Sequence, residues 1–271
     1  MSAFIDGSNG ITFPDGTVLP TSPIGTKNRL INGNFSVNQR AVSGTVTLAA
    51  GVYGHDRWKA GASGCTYTFA ASGIDTIITV TAGSLTQVVE NIFVEGGIYT
   101  LSNAGTAQAR IAVNGATPAG AYAAVPLVSA AATANQQVTV EFTTGTVSLA
   151  QLEQAAGQSR FERLFPGMIL QQCQRYTRST PSFLVGQAYS TSAAFYALEL
   201  GTAMRTTPSL TAGTYQTSNS AGAGVNTTPT ITSLVGNTLR IDVTGTLGSP
   251  LGIGNATVLS SPSGSLLISE L

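Results

Sequence analysis

Residues 136–142 read QQVTVEF, with apolar side chains at Val138, Val140 and Phe142 and polar ones between them. A period of two marks a strand with one face buried and the other open. Weaker alternation recurs at residues 76–81 and 108–113. The TTG at 143–145 separates this run from TVSLAQLE and predicts a hairpin closing a domain. From Asn28 onward the texture is β, spaced as in a sandwich.

Composition points the same way. Only 9% of the 271 residues are charged, against roughly 25% in an ordinary soluble domain. Thr, Ser, Asn, Gln and Gly supply most of the polarity, and β-branched Thr and Val suit a pleated surface better than a helix. The 31 Gly and 11 Pro provide turns for many short strands, so helices should be few. The length exceeds the roughly 100–150 residues of the commonest single core, which predicts two modules. A net charge of +0 lacks the basic footprint of a general nucleic-acid binder, and it leaves little repulsion between copies. The opening MSAFIDGSNGITFPDG has no basic start followed by an apolar run, so no secretory signal is expected. No stretch of about eighteen apolar residues predicts a membrane span, and a soluble protein is expected.

Along the chain, residues 1–27 carry the turn clusters SNG and PDG and the prolines around TSP. They read as an extended arm that cannot bury itself, either disordered or, as the expected anchor, docked on another chain. Residues 28–165 form the first β module. A charged stretch then brings Glu153, Arg160, Glu162, Arg163, Arg175 and Arg178 together. After Pro166-Gly167, the spacing of Met168, Ile169, Gln172, Cys173 and Tyr176 predicts a helix over 168–176, inside a linker at 166–178. Residues 179–271 form a second β module, with strands expected at 183–187, 195–200, 239–243 and 266–268. Arg240, Asp242 and Glu270 are its only charges after Tyr215, and so thin a core implies association with copies of itself.

Few residues offer chemistry. His55 is the only histidine, beside Asp56 in YGHDRW, and no nucleophile-elbow pattern surrounds a serine. Cys65 and Cys173 stand in unrelated contexts and read as two buried thiols. No metal-ligand spacing is present, no cofactor is expected, and no spacing supports a glycosidase carboxylate pair, so the chain does not read as an enzyme. Trp58, the only tryptophan, is the candidate ligand residue: its ring suits stacking on a sugar, although core packing is the commoner fate of a tryptophan among strands. Arg160, Glu162 and Arg163 read as intramolecular pairs at the module junction, with anion binding as the alternative.

NRLINGNFSVNQRAVSG, YGHDRWKAG and LAQLEQAAGQSRFERLFPGMILQQCQRYTR follow one another in an order that resembles a family of bacteriophage tail-fibre proteins. The matching positions are Asn32-Gly33-Asn34-Phe35, Gln39-Arg40, Asp56-Arg57-Trp58, Phe161-Glu162-Arg163 and Cys173-Gln174-Arg175-Tyr176, within residues 28–176. ITFPDGTVLPTSP is similar to the strand-and-turn arms before phage fibre domains, and MRTTPSL with the terminal ISEL is similar to the family's C-terminal module. The resemblance implies a jelly-roll sandwich like that of carbohydrate-binding modules, and an all-β virion protein exposed on the particle after assembly in the host cytoplasm. Its implied partners are other virion proteins through residues 1–27, two further copies in a homotrimer, and host-surface polysaccharide, with no nucleic acid and no membrane insertion. Two alternatives stand beside this: a purely architectural head, collar or tail decoration, and a polysaccharide-degrading spike. Asn38 stands where the family commonly has an aromatic, which weakens any sugar contact carried by that position.

Overall fold

A computed structural model describes residues 4–6, 10–12 and 18–19 as backbone, and residues 26–219, 225–244, 254–261 and 265–271. Strands dominate, every named strand pair is antiparallel, and the described residues hold one α-helix. Within the expected arm, β1 (Phe4–Asp6), β2 (Gly10–Thr12) and β3 (Val18–Leu19) pair with one another in a small sheet. PDG and the prolines around TSP lie outside the described residues.

The chain divides into two units, and the division is not a single cut. The first takes residues 1–36, 43–54 and 58–165; the second takes 37–42, 55–57 and 166–271.

The first unit holds β4 (Val46–Leu48), β5 (Lys59–Ser72), β6 (Asp75–Val89), a 3-10 turn at Asn91–Phe93, β7 (Thr100–Ser102), β8 (Ala109–Ala112), β9 (Leu127–Val128), β10 (Val138–Phe142), β11 (Gly145–Val147) and β12 (Gln151–Glu153). Six strands form a sheet in the order β4-β5-β6-β10-β8, with β11 also on β6, and three form a second sheet, β12-β7-β9. From β6 onward the chain crosses repeatedly between the two sheets, the winding of a jelly roll. Ile78, Leu85, Val138, Val140 and Phe142 of the large sheet and Leu101 and Leu152 of the small one are buried. Each such side chain contributes about 1.5–3 kcal/mol of apolar burial.

The structure corrects the hairpin expected at 143–145. β10 and β11 both pair with β6, through Phe142↔Leu85 and Gly145↔Val80, so the chain keeps its heading through TTG. The long hairpin is β5–β6, closed at Ser72↔Asp75. Period and turn-prone residues mark where a strand stops; they do not say which strand it pairs with.

The second unit holds α1 (Pro166–Gln174), β13 (Thr177–Ser179), β14 (Phe183–Ser190), β15 (Ala193–Glu199), β16 (Ser209–Leu210), β17 (Tyr215–Asn219), β18 (Val225–Thr227), β19 (Thr230–Val235), β20 (Thr238–Thr244), β21 (Ala256–Ser260) and β22 (Leu266–Ile268). The four strand candidates fall in β14, β15, β20 and β22. A seven-stranded sheet runs β18-β17-β21-β14-β15-β20-β19, beside a small sheet β13-β22-β16. Tyr196, Leu198, Leu239, Ile241, Val243, Leu259 and Leu267 form its core. On β14, Phe183, Val185 and Tyr189 are exposed at alternate positions.

The helix begins two residues earlier than the expected 168–176 and ends at Gln174. Pro166 fits a first helical turn, where no backbone donor is needed. Ile169 and Cys173, four residues apart, are its buried positions. Tyr176 lies just past the end, its N–H donating to the Cys173 carbonyl at 2.9 Å.

Candidate functional site

The five residues of β10 are all buried, although only every second one faces the core. The opposite face carries Thr139 and Glu141. Strand register aligns four polar residues there: Lys59 is paired with Thr86, Thr86 with Glu141, and Glu141 with Arg110. With strands about 4.8 Å apart, the row cation, hydroxyl, carboxylate, cation spans roughly 14 Å across β5, β6, β10 and β8. It lies in a groove of about 350 Å³, whose walls include Gly61, Val88, Thr117, Pro118 and Gln137.

Glu141 is the anchor. Its Oε1 accepts from Ser84 Oγ at 2.5 Å and Tyr122 OH at 3.0 Å, and its Oε2 accepts from Arg110 Nε at 2.8 Å. Burial works to raise its pKa, but the Arg110, Ser84 and Tyr122 bonds outweigh it and hold the carboxyl below its usual range. Burial, reinforced by the Glu141 charge, pushes the Tyr122 phenol up. The Arg110 guanidinium also stacks over the Tyr122 ring at 4.4 Å and donates from NH1 to the Gly120 carbonyl at 2.9 Å. One residue therefore fixes the carboxylate, the aromatic ring and the covering loop.

Two further details belong to the groove floor. A Cβ at Gly61 would overlap Ser84 Oγ and crowd Glu141 Oε1, so only glycine leaves this carboxylate its place. The Thr86 hydroxyl, beside Glu141 and Lys59, is buried with no hydrogen-bond partner among the described residues. A buried hydroxyl without a partner is destabilising.

Trp58 is elsewhere. It is 0% exposed, packs against Phe35 at 4.8 Å and Phe142 at 6.0 Å between ring centroids, and donates from Nε1 to the Asn32 carbonyl at 3.0 Å. No ring face is open to a sugar, so the candidate stacking platform is a core residue. Its high apolar area and satisfied indole N–H account for that placement.

The remaining motif residues are structural ties. Asn32 adopts φ 57°, a backbone state asparagine tolerates, and a Cβ on Gly33 would overlap the Ala150 carbonyl. Asn34 Nδ2 and Arg163 both bond Asp75, the latter through NH1 at 2.9 Å and NH2 at 2.8 Å. Those bonds hold the Asp75 carboxyl below its usual range. Glu162 accepts from the Asn28 N–H at 2.8 Å.

In the second unit, QR, DR and the terminal segment build a buried charge cluster. Gln39 donates to both Asp56 oxygens and to the Thr177 carbonyl. Arg40 reaches Glu270 Oε1 at 3.1 Å and Thr177 Oγ1 at 2.8 Å; Arg57 reaches Glu270 Oε2 at 2.5 Å and stacks over Tyr176 at 3.7 Å. Burial raises the Asp56 pKa despite the Gln39 bonds, and burial lowers His55 to about 4. Cys65 and Cys173 are both buried free thiols, one in each unit, and burial pushes Cys65 up to about 12. Among the described residues no three His, Cys, Asp or Glu side chains converge as a metal set, and no helix is long and apolar enough to cross a membrane.

No protein-family model and no curated protein matches the chain. Among solved structures, a Paenibacillus cycloisomaltooligosaccharide glucanotransferase complexed with cycloisomaltoheptaose aligns at 10% identity with a TM-score of 0.18. The alignment covers 84% of this chain and 46% of that one, so this chain spans about half its length. A likeness at that level carries no argument about fold or function.

Proposed function

We propose that the chain is a non-catalytic subunit of a bacteriophage fibre or spike that attaches to host-surface glycans through many weak contacts. One observation carries the adhesive part: a groove on an outer sheet face is lined by the polar row Lys59, Thr86, Glu141 and Arg110, in which three donors fix the Glu141 carboxylate. At about 350 Å³ the groove is near the small end of ligand sites, which suits one or two sugar rings. The fibre part draws on the tail-fibre resemblance across residues 28–176. In this reading residues 1–27 anchor the subunit to the particle, the jelly roll projects, and the second unit joins three copies. Three shallow grooves per fibre then gain avidity without new chemistry.

Glu141 suits holding better than hydrolysis. A retaining or inverting glycosidase needs two carboxyl groups roughly 5–10 Å apart across the scissile bond. Glu141 is the sole carboxylate in the groove lining, and its three donors keep it ionised and occupied. The purely architectural reading has an observation of its own, the apolar row Phe183, Val185 and Tyr189 exposed on β14. A glycan array probed with the purified oligomer separates the two: binding to a defined class of glycan supports attachment, and a blank array overturns it. Particles lacking the protein should assemble and fail to adsorb; particles that assemble badly would favour the architectural role.

A further inference from the structure

We propose that the outer face of the seven-stranded sheet in the second unit is the surface through which copies of this chain join, with their faces turned inward on one another. The inference rests on the reading that the second unit joins copies, and it names the surface. β14 is the middle strand of the seven, flanked by β21 and β15. Leu184, Gly186 and Ala188 turn towards the core, where a Cβ on Gly186 would strike the Tyr196 ring. The alternate positions point the other way: Phe183 is 67% exposed, Val185 72% and Tyr189 44%. Register widens this apolar centre. Val258 on β21 is paired with Val185, and Phe195 on β15 is paired with Gln187 and lies 6.3 Å from Tyr189 between ring centroids. A solvated sheet face is polar, so large apolar side chains along the central strand mark a face meant to be covered.

The margins are polar. From Phe183 the register runs through Ser260 and Gln216 to Asn226, and from Phe195 it runs through Asp242 to Thr230. An apolar, aromatic centre inside a polar rim is the anatomy of a protein interface. Charge and area choose the occupant. Glu199, Arg240 and Asp242 are the only charged residues in the seven strands, and Arg240 pairs with Asp242 at 2.9 Å. A strongly charged partner finds no complement there, whereas a copy of the same face meets little repulsion. Seven strands about 4.8 Å apart, with about six residues each at about 3.3 Å, make a face of roughly 600 Å². Two such faces bury about 1,200 Å² together, enough to enter the range of specific, stable interfaces.

The test measures the mass of the full chain by sedimentation velocity over a range of concentrations. The protein should sediment as a multiple of 27.6 kDa. Val185→Lys, at a position exposed in the single chain, should keep the circular dichroism spectrum and raise the dissociation constant about thirtyfold or more, the effect of losing a hot-spot residue. Ile74→Lys, 69% exposed at the β5–β6 turn of the first unit, should leave it unchanged. Cross-linking gives a second measurement. In Val185→Cys a bismaleimide about 10 Å long, the spacing of packed sheets, should link copies, because Cys65 and Cys173 are buried. A single-chain mass at every concentration overturns the surface and the copy-joining reading together, while the glycan array still judges attachment. An assembly that survives Val185→Lys overturns the surface and leaves the copy-joining reading standing. If that variant fails to fold, an uncross-linked Val185→Cys assembly overturns the surface instead. A mass of two chains that is lost in Val185→Lys supports the surface and overturns the count of three.

Discussion

Two arginine–carboxylate groups in this chain use the same chemistry to opposite ends. In the second unit, Arg40 and Arg57 meet Glu270 and Asp56 with every carboxylate oxygen bonded, below the surface. In the first unit, Arg110 meets Glu141 at the floor of a groove, beside the buried Thr86 hydroxyl, which has no hydrogen-bond partner among the described residues. The first group lies below the surface and ties residues 37–42 and 55–57 to Thr177 and Glu270 of the second unit; the second borders a groove. The difference lies in what surrounds the ion pair and not in the residues that form it.

The largest test of this contrast is Glu270→Ala. It leaves Arg57 and Arg40 buried without their shared counter-charge and should remove about 3–5 kcal/mol from urea unfolding of the second unit. Acid probes the same region through His55. Its folded pKa of about 4 lies below the unfolded 6.5, so the unfolded chain binds the proton first. Its contribution is fully present above pH 6.5 and is lost as pH falls towards 4, by about 3 kcal/mol. Melting temperature against pH should flatten over that window in His55→Gln.

In the open site, removing the unpartnered hydroxyl with Thr86→Val should leave stability unchanged or raise it by about 1 kcal/mol, read as a higher melting temperature without ligand. A loss of stability there would mean that the hydroxyl already serves the fold, and the contrast would fail. Arg163→Ala should have the smallest effect, about 1 kcal/mol or less by urea denaturation, because that side chain is 48% exposed where it bonds Asp75.

The strands were legible because burial imposes a period of two on the local sequence, as at Val138, Val140 and Phe142. Pairing was not, as the passage of β10 into β11 along β6 shows, since partners are chosen by contacts remote in sequence. The same reason hid the groove. Lys59, Thr86, Glu141 and Arg110 sit on four strands with no common spacing, and only the register puts them in a row. A polar residue on the outward phase of each alternating run was the available signal, most visible at Glu141 in QQVTVEF. The eye-catching words, NGNF, QR and DRW, mark instead a tight backbone approach, a buried cluster and a core tryptophan. Trp58 drew attention as a rare aromatic, but rarity says nothing about exposure.

The second unit takes residues 37–42 and 55–57 from within the span of the first. Neither unit is therefore a continuous cassette. A chimera joined at residue 165 would give the incoming C-terminal half a foreign Gln39, Arg40, Asp56 and Arg57, or none. Recombination that exchanges one half must carry both short inserts along, a constraint that the simple order of modules does not suggest.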